Sequence, residues 1–279
     1  MAILTKIKNK FNKRLFLFAL AAVTVVVVAT GVLYSLDVPP VMAQGGAAAL
    51  PDVVMPQSGQ RVLVFSPHPD DESIGVGGYI AQSIDNGADV EIVLVTNGDF
   101  HGNEQERYAE FKKATKILGV PESNLVFLGF PDGKLDKLDP SVLCTAFQTQ
   151  IEQFNPDIII YPDVNDANRD HAAIGRAMQE VLKTEPNKIT NYEYLVHFSY
   201  IWPRPREYAP NLDLTPPEQL VNKDNIWEKV PLSPAIENIK SEAVHTYRSQ
   251  LGNDWLHGLI LSSIRKNELL AIPKNLYTQ

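Results

Sequence analysis

The chain has 279 residues, 33 acidic against 25 basic side chains, a net charge of −8 at pH 7 and a single cysteine. That length suits one domain of catalytic size with an appendage. The acidic balance argues against a nucleic-acid partner, because phosphate contacts need clustered Lys and Arg, and the lone Cys144 excludes an intrachain disulfide or a multi-cysteine zinc ribbon.

Residues 1–14 carry Lys6, Lys8, Lys10, Lys13 and Arg14 and read as a basic cytoplasmic tail. Residues 15–36 follow without a charge. About 20 apolar residues span a bilayer as a helix, whereas a secretory apolar region is usually about 7–15 long. The length favours an uncleaved anchor. Val41-Met42-Ala43 before Gln44 also resembles a cleavage site, which keeps a signal peptide open. On either reading the positive flank stays in the cytoplasm. The expectation is a membrane-anchored protein with its catalytic domain extracytoplasmic, or a secreted one. Residues 37–60, with Pro39, Pro40, Gly45, Gly46, Pro51 and Pro56, read as a tether. Residues 61–279 form the domain proper.

Within that domain strands and helices alternate. Short apolar runs predict strands at 62–65, 90–96, 125–128, 157–161 and 192–198. Helical spacing covers 73–86, 104–118, 141–154 and 171–183, the last with Asp170 placed as its N-cap. The alternation predicts an α/β, Rossmann-like fold with a mainly parallel sheet and helices on both faces. Residues 202–217 hold five prolines and are neither regular helix nor central strand. Residues 234–251 and 255–269 read as C-terminal helices packed back on the sheet.

Two polar clusters fall on one edge of that sheet. His68, Asp70 and Asp71 follow the first strand, and Asp163, Asn165, Asp166, Asn168, Arg169, Asp170 and His171 follow the fourth. Open α/β sheets place ligands at the C-terminal ends of their strands. His68, Asp71 and His171 then converge as candidate zinc ligands. Two imidazoles and a carboxylate, with water in the fourth position, is a catalytic rather than structural donor set. Asp70, left over, is placed as general base beside a metal-activated water. The competing readings are a solvated helix N-terminus at Asp70-Asp71-Glu72 and the paired aspartates of a phosphate-accepting receiver domain. Gly75, Gly77 and Gly78 lie inside a helix and contain no G-x-G-x-x-G, so they read as close helix–sheet packing rather than a dinucleotide loop.

Pro67-His68-Pro69-Asp70-Asp71-Glu72 resembles the signature of the PIG-L/LmbE-like family of zinc-dependent N-acetylglucosaminyl deacetylases. Arg107, Glu110, Ala114, Leu118 and Gly119, the 127–133 loop FLGFPDG, and Asp170-His171 extend the resemblance over about residues 61–199. It implies zinc on His68, Asp71 and His171, with Asp70 as base. The reaction implied is hydrolysis of the acetyl group from an N-acetylated amino sugar or glycoconjugate, with the metal polarising the amide carbonyl. Rival readings are a zinc amidase for another N-acyl conjugate and a non-catalytic sugar-binding relative. One departure stands out. The family has a histidine three positions before the second metal-binding one, and here that position is Asn168. Its amide can donate to an oxyanion but cannot shuttle a proton near neutral pH. His197, at the end of the fifth strand, is the candidate substitute. Asp99 and Arg107 are expected to grip sugar hydroxyls, and Trp202 and Tyr200 to stack on a sugar face. His101 is a weaker candidate for substrate contact.

Overall fold

A computed structural model describes residues 44–183, 189–198, 202–221 and 225–273. The elements in chain order are β1 (Arg61–Ser66), α1 (Asp71–Asp85), β2 (Asp89–Thr96), α2 (Glu104–Ile117), β3 (Leu125–Phe130), α3 (Pro140–Phe154), β4 (Ile158–Pro162), α4 (Arg169–Leu182) and β5 (Thr190–Tyr194). They continue as α5 (Glu218–Val221), β6 (Asn225–Pro231), α6 (Pro234–Val244), α7 (Arg248–Leu251), α8 (Asp254–Leu261) and β7 (Asn267–Pro273).

The seven strands form one sheet in the order β3-β2-β1-β4-β5-β7-β6. The first five are parallel, and β7 runs antiparallel to both β5 and β6. Side chains alternate across the sheet. Val62 and Val64 of β1 enter one core with α1, α2 and α6, while Leu63 and Phe65 enter the other with α3 and α4. A strand covered on both faces needs no polar alternation, which is why β1, β2 and β4 read as continuous apolar runs.

Two expectations from the sequence are corrected at the C-terminal end. Residues 255–269 are not one helix: α8 ends at Leu261 and β7 begins at Asn267. The run Leu269-Leu270-Ala271 fits strand or helix equally well in isolation, and full-length pairing with β6 decides it. The expected helix over 234–251 breaks after Val244, where Tyr247 turns inward and is fully buried.

Trp202 is also corrected. It is 2% exposed in a cluster with Leu195, Leu214, Leu220 and Trp227, and its indole N–H donates to Thr215 O at 2.9 Å. A ring so enclosed anchors the proline-rich segment and offers no face to a sugar.

The expected membrane anchor over 15–36, its basic flank and Tyr200 lie outside the described residues. Among the described residues no helix is long and apolar enough to cross a membrane. The expected membrane-anchored or secreted placement, with the membrane as a partner, finds no support among the described residues and is not carried forward. Of the expected tether, Val53 is buried against the core, and residues 51–53 exchange backbone hydrogen bonds with Lys229 of β6.

The glycines of α1 do serve close packing. A Cβ on Gly75 would stand 2.4 Å from the Tyr194 ring, and one on Gly78 would stand 2.5 Å from Leu232. The helix breaks between them at Val76 (φ −142°, ψ 20°). The backbone groups at the break are taken up by a buried ion pair. Glu268 accepts from the N–H groups of Gly78 and Tyr79 at 2.6 and 2.8 Å, and Lys240 donates to Ile74 O at 2.9 Å and to Glu268 at 2.6 Å.

Candidate metal centre

Strand order places β1 beside β4, and the chain leaves β1 toward β2 on one side and β4 toward β5 on the other. This is the switch point of the sheet, where adjacent loops diverge and leave a crevice. The loop after β1 brings His68, Asp70 and Asp71; the first turn of α4, after β4, brings His171.

Three of these side chains aim one atom each at a common point. His68 Nδ1 is 3.0 Å from Asp71 Oδ2, His171 Nε2 is 2.9 Å from the same oxygen, and the two ring nitrogens are 3.3 Å apart. Ligands bound about 2.0–2.1 Å from a tetrahedral zinc ion stand roughly 3.3 Å from one another. The triangle therefore fits such an ion, and its chemistry fits as well, because two imidazole nitrogens and one carboxylate oxygen are a donor set that zinc takes.

The far nitrogen of each imidazole faces carboxylates, the arrangement that fixes a ligating ring. His68 Nε2 lies 3.3 Å from both Asp132 and Asp170. His171 Nδ1 lies 3.2 Å from Asp166 Oδ2, an ion-pair distance, although the angle falls short of a hydrogen bond. Burial opposes charge on these rings, but the surrounding carboxylates outweigh it. They raise His68 well above its usual value, and Asp166 and Asp71 raise His171 to about 9. Burial likewise opposes charge on Asp71, yet the two histidines hold its carboxyl well below the usual range.

Asp70 stands beside the triangle without joining it. Its backbone has φ 144°, a value that few residues other than glycine adopt. Burial, resisted by the Arg107 guanidinium, pushes its carboxyl up to about 8. Arg107 is buried and committed to the protein. Nη2 donates to Pro69 O at 2.8 Å and to Asp70 Oδ2 at 3.3 Å, and Nη1 donates to Gly98 O at 3.2 Å. Gly98 (φ +64°) permits this closeness, since a Cβ there would meet Pro69 at 2.7 Å. Glu72, expected in one reading to be part of a solvated helix end, is fully buried. It holds Ser66 and Ser73, and the Tyr247 hydroxyl donates to it.

The remaining sequence candidates separate. His197 does reach the site: its ring packs edge-on to His171 at 4.8 Å, and its Nδ1 lies 3.2 Å from Asp166 Oδ1. Asn168, not Asp170, caps α4, its Oδ1 accepting the Asp170 N–H at 2.9 Å. Asp170 instead accepts the N–H groups of Gly133 and Leu135 at 2.7 and 2.9 Å, which ties the loop after β3 to α4. Asp99 is corrected: it is exposed, accepts from Glu104 N–H at the start of α2 and does not line the cavity.

Sequence reasoning gave no role to two acids. Asp132 sits in the FPDG turn at the end of β3, so its place on the shared sheet edge was a usable signal. Asp166 anchors Asn168, Val196 and His197 through their backbone N–H groups at 2.8–3.0 Å, and nothing in the sequence marks those long-range partners.

A family profile described as PIG-L, GlcNAc-PI de-N-acetylase, matches residues 63–182. A probable N-acetyl-alpha-D-glucosaminyl L-malate deacetylase 2 of Bacillus anthracis is 33% identical over 154 residues, covering 50% of this chain and 67% of that protein. The diacetylchitobiose deacetylase of Thermococcus kodakarensis is 33% identical over 113 residues, 37% of this chain and 41% of its own. Among solved structures, the N,N'-diacetylchitobiose deacetylase of Pyrococcus horikoshii superposes with a TM-score of 0.56 at 20% identity, covering 78% of this chain and 86% of that one, a likeness of fold. With the HPDDE loop and the Asp170-His171 turn meeting at one point, these matches establish that the chain belongs to the PIG-L family, enzymes that hydrolyse N-acetyl amide bonds.

Proposed function

We propose that this chain is a zinc-dependent deacetylase that removes the acetyl group from an N-acetylated amino sugar or glycoconjugate. The observation that carries the reading is the triangle of His68 Nδ1, Asp71 Oδ2 and His171 Nε2, with edges of 2.9–3.3 Å and a spare carboxylate, Asp70, alongside. Zinc on those three atoms supplies Lewis acidity, which polarises the amide carbonyl and lowers the pKa of water.

The chain's own groups do the rest. Asp70 takes the proton of the attacking water as general base, and Arg107 fixes its carboxylate. His197 carries a proton toward the leaving amine. Asp166 orients its ring through Nδ1, leaving Nε2 for that transfer. Asn168 spends its side-chain oxygen on the cap of α4, so its amide nitrogen is the group left to donate to the oxyanion. Asn168 and His197 thus divide between them what a single histidine at position 168 would do.

Elemental analysis of the purified chain should give about one zinc per protein, and acetate should be released from N-acetylglucosamine derivatives. His171→Ala should lose both. A His171→Ala protein that keeps its metal would rule out this ligand set.

A further inference from the structure

Among the described residues that line the cavity beside the triangle, Gln250 of α7 is the one polar side chain supplied by the C-terminal helices. It is 6% exposed, and the steps assigned above leave it without a part. It also stands outside residues 63–182, the stretch matched by the family profile, which holds the triangle and Asp70.

The amide of Gln250 is oriented from behind. An ionised carboxylate only accepts hydrogen bonds, and Glu110 of α2 takes both the N–H and the hydroxyl of Ser249, at 2.8 and 2.6 Å. With its proton spent on Glu110, Ser249 Oγ is left to accept, and Gln250 Nε2 donates to it at 3.0 Å. The nitrogen of the amide is thereby committed, and Oε1 is its free pole. That oxygen meets no hydrogen-bond donor among the described residues, yet it is not closed off from the cavity that Gln250 lines. A free acceptor has little to offer the reacting amide, which needs donors at its carbonyl oxygen and, as the bond breaks, at its nitrogen. The donors that an N-acetylated amino sugar has to spare are its ring hydroxyls.

We infer that Gln250 is a specificity residue of this site, its Oε1 accepting a hydrogen bond from one ring hydroxyl of the N-acetylated sugar while Ser249 and Glu110 hold the amide in place. The inference rests on the deacetylase reading above. A sugar without that hydroxyl leaves a desolvated amide oxygen unpaired, and sites built to bond a hydroxyl reject analogues that lack it. The test is kcat/KM for acetate release by the zinc-loaded full chain from methyl N-acetylglucosaminide and its 3-, 4- and 6-deoxy forms. With the wild-type chain one deoxy form should fall below the parent by about tenfold or more. With Gln250→Leu, which keeps the bulk, and with Gln250→Ala, the same form should fall by less than about twofold, because the partner of the missing hydroxyl is gone. On the parent sugar both variants should raise KM by about fivefold or more with kcat within about threefold of wild type. A purely structural role would instead lower turnover of every sugar alike and leave the discrimination in place. Equal turnover of all the deoxy forms by the wild-type chain, a result that needs no variant to fold, overturns the inference and leaves the deacetylase reading standing. So does discrimination that survives in both variants. Absence of acetate release from every one of these sugars overturns both.

Discussion

Helix α1 meets two buried charge clusters, one at its N-terminus and one at its break, and they differ in a way that separates chemistry from architecture. At the break, Lys240 and Glu268 are both fully buried and pair with each other and with the helix backbone: the carboxylate accepts from two backbone N–H groups and the ammonium, and the ammonium also donates to Ile74 O. At the N-terminus, His68, Asp71 and His171 bring one ligating atom each to a common point, and Asp70 is held in strained backbone with a raised pKa. A closed cluster supports a fold. A cluster of convergent metal-ligating atoms beside a spare acid can do chemistry.

That contrast can be broken at either end. The largest effect belongs to Asp70→Asn, which should keep zinc and fold but lower kcat by about 10^3-fold, measured by acetate release alongside metal analysis. Loss of less than about tenfold would remove Asp70 from the role of base. Lys240→Ala should act in the opposite sense, on stability rather than chemistry. It leaves Glu268 buried and uncompensated, at about 3–5 kcal/mol in urea unfolding, and the folded fraction should still bind metal. His197→Gln should lower kcat by about 10^2-fold with KM nearly unchanged, measured by acetate release.

The smallest effect concerns a third buried cluster, behind the site. Glu193 accepts from Gln179 at 2.6 Å and shares the Asn225 amide with Asp163 at 3.0 and 2.9 Å. Burial, helped by the Asp163 charge, pushes its carboxyl up to about 8 from 4.5. The folded chain therefore holds a proton that the unfolded chain has lost, and the contribution of this group to stability falls as pH rises from about 4.5 to about 8. Glu193→Gln keeps the neutral shape, so its Tm relative to wild type should rise between pH 5 and pH 8. A constant difference would show that Glu193 does not titrate in that window.

Much of the site was legible because its chemistry is local. His68, Asp70 and Asp71 sit within four positions of one loop, and a strand-end turn leaves them few directions to face. His171 required only the inference that parallel strands put their C-terminal ends on one edge. Trp202 and Asp99 were misread for the converse reason. Each has a residue type that suits sugar contact, and each is claimed elsewhere: Thr215 and a hydrophobic cluster hold Trp202, and the start of α2 holds Asp99.

The sequence alone determined the parallel half of the sheet, since apolar runs of strand length between helical repeats have one economical packing. It also determined the donor types at the strand ends, because those follow from residue identity. Only tertiary structure decided the antiparallel strands β6 and β7, where a short apolar run takes its conformation from its neighbour. It alone decided which acids orient the histidines and that Arg107 is committed to the protein, because hydrogen bonds between residues 30 to 102 positions apart depend on how the loops are brought together.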